Sequence, residues 1–242
     1  MWPVVRETFP AWSAHFESRL GFLFLDVKGL VSTGVGILLE PLSLALGLPW
    51  RRPDGSLASA AEIADAWNEV KARQDLAEEG GGHFAGLTTL RLSDDDVDAI
   101  TLRKLDEVEA ELRARFPAWE RWPADAQLGT LSMAWAMGAG FRFPHWEAAV
   151  ERLDFDSAAA ESHMSEEGQN ESFRRRNAAN AILFRNAARV VAEGLPRDVL
   201  VNVPGLPGPH GSAGGGGIGR ALGALVLVGL VGAAAWYATR GA

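Results

Sequence analysis

The tract VPGLPGPHGSAGGGG, residues 203–217, most limits what this chain of 242 residues can fold into. Proline and glycine at this density cannot bury a core, so the tract reads as a linker. Whatever packs as a domain lies before it. The sequence therefore divides into a folded body over residues 1–200, a Pro/Gly-rich linker over 201–217 and an apolar helix over 218–240. Within the last part, residues 221–238 form an uncharged stretch of 18 residues bracketed by Arg220 and Arg240, with Trp236 and Tyr237 near its end. That is the minimum length for a membrane-spanning helix, with an aromatic pair where an interface falls. Gly219 and Gly223 add one small-residue spacing that lets helices approach in lipid. A hydrophobic tail buried in a protein assembly, or one without fixed structure, fits the same composition. The N-terminus, MWPVVRETFPAWSAHFE, lacks a basic start followed by an apolar run, so no secretory signal is expected.

With 48% hydrophobic and 22% charged residues, the body has enough apolar side chains for a sizeable core. The net charge of −8 argues against a nucleic-acid partner, although Arg174, Arg175 and Arg176 offer a local anion contact. There is no cysteine, which excludes disulfides, thiolate metal sites and cysteine nucleophiles. His15, His83, His145, His163 and His210 show no metal-ligand spacing. The Gly-rich EEGGGHF loop follows a helix and lacks a Lys-Ser/Thr ending, so it is a poor phosphate cradle. No metal and no cofactor is expected.

The body reads as mostly helical α+β. A helix is expected over residues 11–20, then two or three short strands over 22–36 turning at Lys28-Gly29. Further helices are expected over 59–79, from Ser93 as N-cap through a first turn of acids, over the apolar stretch ADAQLGTLSMAWAMG up to Gly138, and over 146–153 and 177–193. Met133 and Met137 are expected in the core. Trp135, on the same apolar helix, either packs in that core or lines a cleft and stacks on a sugar.

The opening segment HFESRLGFLFLDVKGLVSTGVG carries the chemistry. Glu17 and Asp26 flank an apolar tract. A helix followed by a hairpin can bring two such acids to opposite sides of one cleft. Glu17, beside Phe16 and Leu20, has its neutral form favoured and suits a general acid, whereas Asp26, near Lys28, stays ionised. Two carboxyls separated in this way can hydrolyse a glycosidic bond. A hydroxyl at Ser32 is placed to hold the attacking water; Thr33, next along a strand, faces the other way. The plainer readings are a surface acid at Glu17 pairing with Arg19 or a more distant arginine, a turn-capping Asp26 and a merely tolerated Ser32.

The spacing Glu17, eight residues, Asp26, five residues, Ser32, then Thr33 and Gly34-Val35-Gly36 resembles the active-site segment of the tailed-phage lysozymes, glycoside hydrolase family 24, and their pesticin-like relatives. LFLDVKG is similar to the family's hairpin, and ILLEPLSLALG to the segment entering its next helix. DDDVDAI resembles the start of its inter-lobe helix, LSMAWAMGAGFRF its buried core helix, and RRRNAANAILFRNA its closing helix. The resemblance covers residues 11–190. Ser32 stands where the family carries Thr, Ile37 where it often carries His, and residues 43–58 are longer than the phage pattern.

The resemblance implies a two-lobed lysozyme-like fold with a small β-hairpin lobe. It implies a muramidase that cleaves the β-1,4 bond between N-acetylmuramic acid and N-acetylglucosamine in peptidoglycan with inversion. Glu17 would be the general acid, Asp26 the carboxylate that activates water, and Ser32 its holder. Arg176, with Arg175 as the alternative, would support Glu17. The partners implied are peptidoglycan glycan strands, a membrane through the C-terminal helix, and a phage-tail or contractile-injection carrier. The rival expectation is a membrane-anchored structural or docking module that keeps the fold with little or no hydrolysis.

Overall fold

The computed structural model describes residues 1–165 and 171–206. The apolar segment 218–240 and the linker beyond residue 206 lie outside the described residues, and among the latter no helix is long and apolar enough to cross a membrane. The chain starts with helix α1 (Pro3–Ser13), whose Val5, Phe9 and Trp12 are buried at helical spacing. This helix starts at Pro3, runs through Pro10 and stops at Ser13, so it overlaps the expected helix 11–20 only at its first three residues. Past Ser13 the amides of His15 and Phe16 turn back on the carbonyls of Trp12 and Ser13, and Leu20 already belongs to a strand. Glu17 thus sits in a turn rather than on a helix.

Three antiparallel strands follow in the order β1 (Leu20–Leu25), β2 (Val31–Gly34) and β3 (Ile37–Leu38). Leu25 pairs with Val31 across the first turn, where Gly29 takes φ +71° as the Lys28-Gly29 reading requires. Ser32 pairs with both Phe24 and Leu38, at the centre of the sheet. Gly34 and Gly36, at φ +61° and +81°, make the tight turn into β3.

Helix α2 (Leu42–Leu46) and helix α3 (Ala60–Ala72) complete this side. A reciprocal cap between Ser59 and Glu62 opens α3. It ends short of the expected residue 79, giving way to a 3-10 turn at Gln74–Leu76. Helix α4 (Asp94–Arg115) is capped by Ser93 with Asp96 answering. Then come α5 (Ala124–Met137), α6 (Pro144–Glu151), α7 (Phe155–Glu161) and α8 (Glu171–Glu193). Helix α7 has no counterpart in the sequence reading, and α8 begins before the expected residue 177.

Two apolar cores form. The sheet, α2, α3 and the start of α4 (Val97, Ile100) build the smaller one. Helix α1, the rest of α4 (Leu105, Val108, Leu112) and α5 to α8 build the larger. Helix α4 thus belongs to both, and α5, with 12 of its 14 residues buried, is the centre of the larger. Met133 is buried there, while Met137 packs at the edge. The fold is mostly helical α+β with one small antiparallel sheet.

The body extends past the boundary at residue 200. Val201 donates its amide to Asp125 Oδ2 (3.1 Å), Asn186 donates to the Asn202 carbonyl (2.8 Å), and the Trp12 indole donates to the Pro204 carbonyl (3.1 Å). Leu200, Val203 and Leu206 pack on the larger core, so Pro and Gly composition alone drew the linker too early.

Candidate active site

The turn after α1 presents Glu17 to the inside of the molecule. Its side chain is 7% exposed and forms an ion pair with Arg176 of α8, itself 2% exposed. The Arg176 guanidinium also lies over the Phe16 ring, 5.0 Å from its centroid, and reaches the Ser132 carbonyl of α5 at 3.4 Å. Arg175 is exposed and donates instead to the His15 carbonyl at 3.3 Å. The plain pairing of Glu17 with Arg19 does not form, because Arg19 bonds Asp98 at 2.6 Å. Burial raises the Glu17 carboxyl above its ordinary pKa, with Arg176 pulling the other way. Burial likewise lowers the Arg176 pKa, against the pull of Glu17.

Asp26 stands at the other end of β1, in the turn to β2. Its Oδ1 accepts from the amides of Lys28 and Leu30, both at 2.9 Å. It is therefore a turn cap, as the plainer reading had it, but neither of these bonds uses Oδ2. Burial raises its pKa, opposed by those two amides and by the charge of Lys28. Glu40 adds a nearby negative charge that raises it too. It also braces the hairpin, accepting from the Val31 amide at 2.9 Å and from Lys71 at 2.5 Å, while Lys71 holds the Gly29 carbonyl at 2.7 Å.

Ser32 is completely buried, and its hydroxyl has no hydrogen-bond partner within the described protein. A buried hydroxyl without a protein partner is uncommon and points to water or a ligand group as its partner. Thr33 is also buried, but its hydroxyl turns to the Phe22 carbonyl of β1 at 3.1 Å and is committed there.

Trp135 packs against the larger core, as one of its two readings had it. Its ring lies 5.0 Å from Phe9 of the larger core, and its indole donates to the Val35 carbonyl in the β2–β3 turn at 3.2 Å. It also lines an open groove of about 280 Å³ with Ile37, Leu38, Leu44, Ile100 and Arg103. That groove includes none of Glu17, Asp26 and Ser32. Of residues 43–58, Leu44 lines this groove.

The arrangement therefore brings Glu17 and Arg176 together, sets Asp26 and Ser32 on the adjoining hairpin, and leaves Arg175 on the backbone of the Glu17 turn. Ser132, behind Arg176, carries no signal in the sequence beyond its place on an apolar helix. Among the described residues no cluster of three His, Asp or Glu side chains is arranged to hold a metal ion. No known family model matches the sequence, and no curated protein matches it.

Proposed function

We propose that this chain is a peptidoglycan hydrolase, a muramidase of lysozyme-like two-lobed fold. The observation that carries the reading is the buried Glu17–Arg176 pair in the turn that leads into β1, with Asp26 at the far end of that strand and an unpartnered Ser32 hydroxyl on the next. The spacing of these residues, and their resemblance to the phage-lysozyme segment, supports the same reading. Glu17, its neutral form favoured by burial, donates its proton to the glycosidic oxygen. The carboxylate left behind is stabilised by Arg176. Asp26, held by two amides, takes a proton from water that Ser32 orients, and the water attacks the sugar from the opposite face with inversion. Trp135 offers an aromatic face to the glycan beside the groove.

The reaction leaves new reducing ends on N-acetylmuramic acid. Reduction of digested peptidoglycan with borohydride, followed by mass spectrometry, is expected to label that sugar. Labelling of N-acetylglucosamine, or none, contradicts the proposal. Asp26→Asn is expected to lower the rate about 100-fold or more. Because the base must be ionised and Asp26 titrates above its ordinary value, the rate falls on the acid side as pH drops through that raised pKa. A pH–rate profile checks this limb.

The proposal includes a setting. The apolar segment 218–240 anchors the domain in a membrane, and a phage tail or contractile injection system carries it to the cell wall. A second reading, a docking module without turnover, is favoured by the groove, whose mostly apolar lining with Arg103, Lys104 and Glu107 includes neither Glu17 nor Asp26.

A further inference from the structure

Three consecutive residues of the Glu17 turn are held by three residues of α8. The Ser172 hydroxyl donates to the Phe16 carbonyl at 2.6 Å, Arg175 donates to the His15 carbonyl at 3.3 Å, and Arg176 pairs with Glu17. Positions 172, 175 and 176 are spaced i, i+3 and i+4, which places them on one face of a helix. The amides of this turn bond back to the end of α1, His15 to the Trp12 carbonyl and Phe16 and Glu17 to that of Ser13, whereas the carbonyls of His15 and Phe16 are taken up by α8. Its other side is packed by the segment that leaves α8, with Gly205 against the His15 ring and Pro204 bonded to Trp12.

We infer that Ser172 and Arg175 are positioning residues that fix the backbone of the turn so that the Glu17 carboxyl stays seated on Arg176. The inference rests on Glu17 being the acid of the proposed hydrolase. Arg176 alone fixes one end of a flexible side chain. A carbonyl held one residue earlier, and another two residues earlier, remove the backbone freedom that would let the carboxyl swing out to water. A proton donor placed about 1 Å off its productive position loses much of its effect, so the grip bears on turnover more than on binding. Serine at 172 suits the task because its short hydroxyl meets a carbonyl one helix turn before Arg176. Arg19, next along from the turn, is committed to Asp98 and Asp94.

The test uses the full chain and the variants Ser172→Ala, Ser172→Thr and Arg175→Ala. Two quantities are read: steady-state turnover on purified peptidoglycan, and titration of the Glu17 carboxyl by carbon-detected NMR. Ser172→Ala is expected to lower kcat about tenfold with KM within about twofold. It is also expected to move the Glu17 pKa down toward the ordinary carboxylate value as the side chain gains water. Arg175→Ala moves both quantities the same way by less, because its bond is longer and exposed. Ser172→Thr, which keeps the hydroxyl, restores both. Unchanged kcat and unchanged titration in Ser172→Ala overturn the inference. If the wild type releases nothing from peptidoglycan, the hydrolase reading fails, and the titration alone then decides whether α8 seats Glu17.

Discussion

Arg176→Met destabilises the folded chain by about 3–5 kcal/mol at neutral pH, the cost of stranding a buried carboxylate. Glu17 and Arg176 are both almost wholly enclosed, so neither can turn to water when the other is removed. Methionine fills a similar volume and keeps contact with Phe16, over which the guanidinium lies, so packing is not the main loss. The pH dependence comes from the direction of the Glu17 shift. Its folded pKa is raised, so the stability it contributes is fully present below its unfolded value and is lost as pH rises through the folded one. Without Arg176 the folded pKa climbs further. The deficit of Arg176→Met is therefore largest at pH 7–8 and shrinks toward pH 4, where the carboxyl is neutral in both states. Urea unfolding at several pH values measures this. The double variant Arg176→Met with Glu17→Gln recovers most of the loss at pH 7, because no charge remains to be stranded.

Glu17→Gln lowers hydrolysis by about 100- to 10,000-fold, the range for loss of a general acid. Glutamine keeps the shape and leaves an oxygen for Arg176, but it strands the buried guanidinium without a counter-charge and so costs stability as well. In the variant that remains folded, the loss of rate is one of proton donation. The wild-type rate falls on the basic side as pH rises through the raised Glu17 pKa, since the donor must be protonated. It falls on the acid side through that of Asp26. Both groups are shifted upward by burial, so the active range lies above the ordinary carboxylate values.

Local signals in the sequence carried the hairpin and the capped starts of α3 and α4, but not the starts of α1 and α8. Lys28-Gly29 reads as a turn because the backbone there needs positive φ, and Ser93 reads as a cap because acids come directly after it. The apolar run up to Gly138 gives α5, which is buried almost all round and so needs no polar face. Position in the site is less legible. Glu17 looks like a helix residue because helix-forming neighbours surround it, yet tertiary pairing of Leu20 with Gly34 draws the chain into a strand and leaves a turn. Residues 201–206 look like linker because Pro and Gly dominate residues 203–217. Contacts distant in sequence hold them, with Asp125, Asn186 and Trp12 and through Val203 and Leu206 on the larger core. The grip of Ser172 on Phe16 joins positions 156 residues apart, and no local pattern announces it. The unpartnered Ser32 hydroxyl belongs to the same class: its chemistry is written in the motif, its isolation only in the packing.

The most direct measurement is release of soluble muropeptides from purified peptidoglycan by the full chain, beside Glu17→Gln, across pH 4–8. The account predicts release by the wild type and a loss of at least about 100-fold in the variant, both proteins being folded by circular dichroism. Equal release by the two contradicts the role of Glu17. No release by the folded wild type at any pH contradicts the hydrolase itself, leaving the docking module.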